Sequence, residues 1–362
     1  MLRRILVGAA APVLAIVMAM LITVVILLLA GNSVSGFMST IFSVPAPRNV
    51  VNIINNSSVL YLSALAAAIG FRMNLFNIGV EGQYRVAVFA AAAFAGQGWL
   101  PGPLNVLVAV LIAIVSGAAW AAIAGLLKVT RGVSEVISTI MLNAIAVSLT
   151  AYLLRKWGGI VGNSIQTKQL PKDSWVPGLP LVPGAPNEVL GLAVIALLAG
   201  VGYAVLLNRS RFGFELRATG ASATAAVASG IDVRRMVVIS MVISGGIAAL
   251  VGLPLLFGDT HAYGTTFQSG LGFAGIAVAL LGRNNPVGIA FGSLLFAFLV
   301  EQSSLLEINA GVSNDIVSIT QGVLVLSVVV AYEIVRRYTK AQEQRTVAEQ
   351  LAPTAPKTEV PA

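Results

Sequence analysis

Ten apolar runs of spanning or near-spanning length divide this chain, at about 9–30, 57–71, 79–96, 104–127, 133–154, 188–207, 236–258, 267–282, 285–300 and 315–335. A helix needs about 20 residues to cross a hydrocarbon core of about 30 Å, and inside that core every backbone N–H and C=O must be bonded within the protein. The pattern therefore implies an all-α polytopic membrane protein with about ten transmembrane helices. The runs at 57–71, 267–282 and 285–300 are short, and with Gly and Asn beside them they read as broken or re-entrant helices. Arg3 and Arg4 precede an apolar run to Ala30 that exceeds the roughly 7–15 residues of a secretory signal core, so it reads as a retained first helix.

Composition excludes the main alternatives. Charged residues make up 10% of the chain and apolar ones 57%, whereas a soluble domain carries about 25% charged residues to cover its surface. The net charge of +8 does not indicate nucleic acid, because the basic residues sit between apolar runs instead of forming a stripe with aromatics. With no cysteine and one histidine, His261, the chain has no thiolate chemistry, no His cluster and no expected metal site.

Those basic residues orient the chain. With the N-terminus inside and one crossing per run, sixteen Lys and Arg lie inside and five outside, with Arg85 unassigned near a helix start. This is the direction of the positive-inside rule, and it places both termini in the cytoplasm. Residues 1–338 then form the membrane domain, with an extracytoplasmic loop at 155–187 and a cytoplasmic loop at 208–235. The Gln-, Glu-, Thr- and Pro-rich tail at 339–362 reads as disordered. Runs two to five start outside and runs seven to ten inside, each set with an early Gly-broken stretch (Gly70–Gly82 and Gly258–Gly275), which is the outline of two inverted half-bundles.

Three stretches depart from plain anchors. In the segment from Gly70 to Gln83, the polar residues Asn74, Asn77, Glu81 and Gln83 interrupt an apolar region. Polar groups at membrane depth are costly unless paired or facing water, so the segment reads as a re-entrant element beside a pathway, or else as a tight cytoplasmic turn with capping Asn. In the loop at 208–235, Ala221–Ala228 suits a short surface helix with Gly220 and Gly230 as terminators. Its small residues fit a groove on a cytoplasmic partner, and their lack of bulk argues against a helix lying on lipid. The G-x-G-x-x-G at Gly270, Gly272 and Gly275 has no preceding strand and no later acid, so it is not a dinucleotide site. It reads as the start of a half-helix near Gly275 with N–H groups open to a solute, followed by a turn at Arg283–Pro286 and a small-residue face at Gly288 and Gly292.

No P-loop, H-E-x-x-H or G-x-S-x-G occurs, so neither ATP binding through a P-loop nor hydrolase chemistry is expected. Glu81 is the one candidate for a buried ionisable relay. The stretches Asn77-Ile-Gly-Val-Glu-Gly-Gln83, Gly132-Val-Ser-Glu-Val-Ile-Ser-Thr-Ile-Met-Leu-Asn143, Leu216-Arg-Ala-Thr-Gly220 with Ala225-Ala226 and Gly230-Ile231, and Gly272-Phe-Ala-Gly-Ile-Ala-Val-Ala-Leu-Leu-Gly-Arg283 resemble the permease subunits of bacterial ABC importers. The branch resembled is that of branched-chain amino acid and simple sugar permeases, and within it the nucleoside permeases; the likeness covers about residues 50–335.

That resemblance implies a permease of the bacterial plasma membrane, paired with a second and often different permease subunit. It also implies two cytoplasmic ABC ATPase subunits, which bind the ATP so that this chain needs no cofactor, and an extracytoplasmic substrate-binding lipoprotein. It implies that Glu215, Arg217, Gly220, Ala225, Ala226, Gly230 and Ile231 dock the ATPase, and that Asn74, Phe76, Asn77, Glu81, Gln83, Asn143 and Phe273 lie along the pathway. Ala221-Ser222 departs from the family, whose members commonly carry Asn after the glycine. The rival readings are an ion-coupled secondary transporter of small polar solutes, disfavoured by the missing relay, and a membrane-embedded enzyme, disfavoured by the missing acid–base constellation.

Overall fold

The computed structural model describes residues 2–351. The helices in chain order are α1 (Leu2–Leu29), α2 (Val34–Ile41), α3 (Pro47–Arg72), α4 (Val80–Ala95), α5 (Gly102–Arg131), α6 (Glu135–Trp157), α7 (Val194–Arg209), α8 (Arg211–Ala221), α9 (Ala223–Ala228), α10 (Val233–Ala248), α11 (Leu253–Leu255), α12 (Leu271–Leu281), α13 (Pro286–Ala310) and α14 (Asn314–Leu351). Each of the ten apolar runs holds a helix. Among the described residues, seven helices are long and apolar enough to cross a membrane: Pro47–Arg72, Gly102–Arg131, Glu135–Trp157, Gly191–Arg209, Val233–Thr260, Pro286–Ala310 and Asp315–Val335. The chain is therefore a multi-pass, mainly helical membrane protein.

Two of the three runs expected to be broken are not. Runs 57–71 and 285–300 are parts of the uninterrupted helices α3 and α13. Asn52, Asn55 and Asn56 at one run's edge, and Glu301 and Gln302 at the other's, lower local hydropathy without breaking i to i+4 bonding. Only α12, with 11 residues, is short. The expected disorder from residue 339 is also corrected as far as Leu351, where α14 continues. That segment is rich in Ala, Gln, Glu and Arg, all good helix formers, and Arg337 Nε pairs with Glu333 Oε1 at 2.8 Å one turn before it. Residues 352–362 lie outside the described residues.

Two units compose the chain. In the smaller one, α1 and α14 bring the Thr23 and Thr320 hydroxyls to 3.5 Å, each also bonded to a carbonyl one turn back in its own helix. The larger unit, Ser35–Asn314, has α3 as its axis. Leu62 through Gly70 are all buried, and the run Ala64, Ala66, Ala67, Ala68 leaves room for neighbours to approach closely.

Helix α10 packs on α5 through small residues spaced by four. Gly117, Ala121 and Gly125 on α5 meet Met241, Gly245 and Ala249 on or just after α10. A Cβ on Gly245 would collide with Ala121 and the Gly117 carbonyl, whereas one on Gly246 would sit 3.6 Å from Ile114, an ordinary contact. Gly245→Ala should therefore cost about 1–3 kcal/mol through overpacking. Gly246→Ala should be neutral or slightly stabilising, because alanine favours helix by up to about 1 kcal/mol over glycine. Thermal unfolding of the two purified variants in one detergent checks the contrast.

The loop after α6 is not all-helical. Strands β1 (Gly159–Val161) and β2 (Ser164–Gln166) form an antiparallel hairpin, with Gly162 at φ 58° in its two-residue turn. From there the chain is tied to the segment after α10. Thr167 N donates to Tyr263 O at 2.8 Å, Leu170 N to His261 O at 2.9 Å and Val176 N to Phe257 O at 2.9 Å. The continuation of α10 ends in a π-helical turn, Leu256–Thr260, closed by His261 at φ 51°. The His261 ring lies parallel to Trp175, 3.8 Å between centroids.

Burial lowers the His261 pKa from its ordinary value, and Asp259 partly opposes this. The folded chain then binds this proton less tightly than the unfolded chain. The stabilisation is complete above the ordinary value of about 6.5 and is lost as pH falls through the lowered one. The melting temperature should fall as pH drops below about 6.5. His261→Phe, which preserves the stack, should flatten that part of the profile.

Candidate functional site

The chain leaves helical geometry between α3 and α4, at residues 73–79, and between α10 and α12, at residues 261–270. The polar residues picked out by sequence gather at or beside these breaks: Asn77 and Gln83 bond to each other, and Asn143 and Glu81 bond to backbone N–H groups there. Asn77 is fully buried. Its Nδ2 donates to Ser244 Oγ on α10 at 2.8 Å and to Gln83 Oε1 at 3.0 Å. Its Oδ1 accepts from Gly79 N at 3.0 Å and from Gln83 Nε2 at 2.9 Å. Ser244 Oγ donates in turn to the Ala66 carbonyl at 2.6 Å. From α6, Asn143 clamps the start of α4, with Oδ1 accepting from Gly82 N at 2.8 Å and Nδ2 donating to Ile78 O at 2.8 Å. The broken backbone thus finds its partners inside the protein, as a low-dielectric surrounding demands.

Glu81 joins the two breaks. Oε1 accepts from Gly270 N at 3.0 Å and Oε2 from Gly272 N at 2.9 Å, so the carboxylate closes the N-terminus of α12. This corrects the expectation of a half-helix near Gly275 with open N–H groups, since α12 begins at Leu271 and Glu81 occupies its positive end. Arg85 Nε donates to Glu81 Oε1 at 2.9 Å, and the Tyr84 hydroxyl lies 2.9 Å from both Glu81 Oε1 and Gln268 O. The fit is steric as well. Gly272 packs on the Glu81 backbone and Gly275 on Ser63, whose Oγ donates to Leu271 O at 2.8 Å. Phe273, between these glycines, is 55% exposed and turned away from the cluster.

Asn74 and Phe76, in the same 73–79 turn, bond outside this cluster, Asn74 to the loop at 208–235 and Phe76 to the start of α6. Asn74, at φ 56°, donates Nδ2 to Gly220 O at 2.7 Å. Gly220 lies inside α8, packed on the Arg72 carbonyl, so it is not the helix terminator expected from sequence. The break falls at Ser222, whose hydroxyl accepts from Ala225 N at 3.3 Å and caps α9, while Gly230 at φ 81° does follow the helix end. Arg72 reaches the Asn284 carbonyl through Nε and Nη2 at 3.2 and 2.8 Å, and the Tyr203 hydroxyl meets that carbonyl at 2.9 Å. Phe76 is half exposed, its ring lies 5.3 Å from that of Phe71 at a 59° tilt, and it donates its N–H to Glu135 Oε1 at 3.4 Å; Lys128 pairs with the same carboxylate. One end of the molecule therefore links four segments: the α3–α4 turn, the α5–α6 turn, the 282–285 turn and the 208–235 loop.

Within that loop the remaining candidates divide. Glu215 pairs with exposed Arg211 at 2.7 Å, and Arg217 bonds the Leu207 carbonyl. Ala226 is buried, Ile231 partly so, and Ala225 and Gly230 are exposed. Sequence reading missed Phe214 and Val227, which stand 62% and 61% exposed on α8 and α9. It also missed Ser63, Tyr84 and Ser244 in the cluster. Hydroxyls in the middle of apolar helices were the available signal.

Residues 49–329 match the family described as the branched-chain amino acid transport system / permease component. The guanosine ABC transporter permease protein NupP of Bacillus subtilis is 34% identical over 89% of this chain and 93% of its own. The nucleoside ABC transporter permease protein NupB of Lactococcus lactis is 30% identical over 91% of this chain and 93% of its own. The glucose ABC transporter permease protein TsgB13 of Haloferax volcanii is 32% identical over 77% of this chain and 75% of its own.

Proposed function

Since this chain belongs to the permease-component family of branched-chain amino acid transport systems, we propose that it is the membrane-spanning subunit of an ATP-driven importer whose substrate is a nucleoside. The support for the substrate is likeness over nearly full length to NupP and NupB, with a simple sugar, suggested by TsgB13, as the nearest alternative. About ten helices cross the bacterial plasma membrane as two inverted halves with both termini inside, in keeping with the distribution of Lys and Arg. The 208–235 loop then faces the cytoplasm and the hairpin end faces outward.

The observation that carries the mechanism is the bond from Asn74 to Gly220. It ties α8, on the loop that would meet an ATPase, to the turn where α3 breaks before α4. ATPase closure moves α8 and α9, the 73–79 turn follows, and the α4–α12 contact at Glu81 transmits the shift to the helix that carries Phe273. Asn77, Gln83 and Asn143 hold the break in shape, and any part they play along the pathway requires the bonds they make there to open in the transport cycle. This subunit performs no covalent chemistry. ATP is bound by two partner ATPases, substrate arrives on an extracytoplasmic lipoprotein, and a second permease, similar or identical, completes the pathway.

Affinity purification of the tagged chain in mild detergent tests the docking. An ATPase subunit should accompany it, and Phe214→Asp or Ala225→Trp should release that subunit while the permease stays folded. Recovery of the chain alone from membranes that also express the ATPases would refute the reading.

A further inference from the structure

At the hairpin end, a cleft of about 510 Å³ opens between the first half of α3, the 178–190 segment, the π-turn after α10 and α13. Its size falls within the roughly 300–1,000 Å³ of small-molecule sites. No residue of the 73–79 turn or of the docking loop reaches it.

The lining is built from amides and carboxylates. Asn52 donates Nδ2 to Glu301 Oε1 at 2.9 Å and accepts from Asn187 Nδ2 at 2.8 Å. Asn55 spans the cleft's other wall, accepting from Leu190 N at 2.9 Å and donating to Glu188 O at 3.2 Å. These bonds hold the wall in one geometry before any ligand arrives. Capacity is left over: the Asn56 amide, the Asp259 carboxylate and the second oxygen of Glu301 line the cleft with no hydrogen bond among the described residues. Glu188 is a third carboxylate there. The lining contains no Lys, Arg or aromatic residue.

From this chemistry we infer that the cleft is an outer binding site for the ribose of a nucleoside, taken before the pathway opens. The inference rests on the importer reading and deepens it. Carboxylates accept strong bonds from sugar hydroxyls, and an amide both gives and takes, so the set suits a vicinal diol. With no aromatic face there is nothing for a base to stack on, so recognition falls on the sugar. Three carboxylates without a cation repel a phosphate, so the cleft would also reject nucleotides. The free carboxylates lie on separate elements, and among the described residues no cluster of three acids could hold a metal ion.

Saturation-transfer NMR on the whole chain, assembled with its partner subunits in lipid nanodiscs, tests this with uridine, uracil and uridine monophosphate as probes. Uridine should show transfer centred on its ribose protons, and the other two should show little. Asn56→Leu and Asp259→Asn should each weaken the uridine signal by about three- to tenfold, the loss of one or two hydrogen bonds, without moving the melting temperature. Equal transfer to uracil or to the monophosphate would overturn the inference, as would a uridine signal unchanged in the double variant. ATP-dependent uridine uptake by the same complex reconstituted in proteoliposomes separates the two readings. Uptake without a ribose signal removes the cleft and leaves the importer, while a ribose signal without uptake does the reverse.

Discussion

Glu81→Ala should destabilise the protein by about 3–5 kcal/mol, the cost of breaking a buried ion pair by removing one partner. The alanine strands Arg85, whose side chain is 15% exposed, and leaves the Gly270 and Gly272 N–H groups without an acceptor at the start of α12. Glu81→Gln should cost less, because its carbonyl oxygen still accepts from one of these donors. In Glu81→Met with Arg85→Met no charge is left unpaired, so the pair should recover part of the loss. Equilibrium unfolding in mixed micelles would show this order. If the alanine variant unfolds with the wild type, the carboxylate does not hold the two breaks together.

Asn74→Gly should lower substrate moved per ATP hydrolysed by about fivefold or more, the scale of a coupling energy between two sites. Glycine adopts φ 56° at least as readily as asparagine, so the turn keeps its shape and only the bond to Gly220 is lost. Asn74→Val would add backbone strain and confuse the two effects. ATPase activity should persist in the glycine variant while uptake falls. Unchanged uptake per ATP would show that motion of α8 reaches the membrane by another route.

What the sequence conveyed follows from which forces are local. Length and hydropathy placed a helix in each of the ten apolar runs, because lipid leaves the backbone no alternative to internal bonding, and seven helices among the described residues are long and apolar enough to cross. The breaks near Gly70–Gly82 and Gly258–Gly275 were legible for the same reason, as were the Arg283–Pro286 turn and the small-residue face at Gly288 and Gly292, but not the partner of that face, which is the end of α12 and Gly282. Helix length was not, because Asn52, Asn55 and Asn56 are unusual for lipid but ordinary in a helix whose polar side faces a cleft. The Gly162-Asn163 hairpin turn was a visible signal that the surrounding irregular loop obscured.

In the site, residue type singled out Asn77, Glu81, Gln83 and Asn143, yet what they bond to depended on tertiary contacts. Glu81 meets Gly270 and Gly272 from about 190 positions away, and no local pattern foretells that partner. Asn74 and Asn77 stand three residues apart and serve different neighbourhoods, one beside Gly220 and the other beside Ser244. Gly220 looked like a helix terminator from its type alone. Its place inside α8 follows from the close approach to Arg72, where no side chain fits.

The importer reading is tested most directly by transport in proteoliposomes holding this chain, its partner permease and the ATPases, with the lipoprotein added outside. Nucleoside should accumulate only when ATP is present on the ATPase side, and a proton or sodium gradient alone should drive none. Accumulation by this chain without the ATPases, following an imposed ion gradient, would contradict the account.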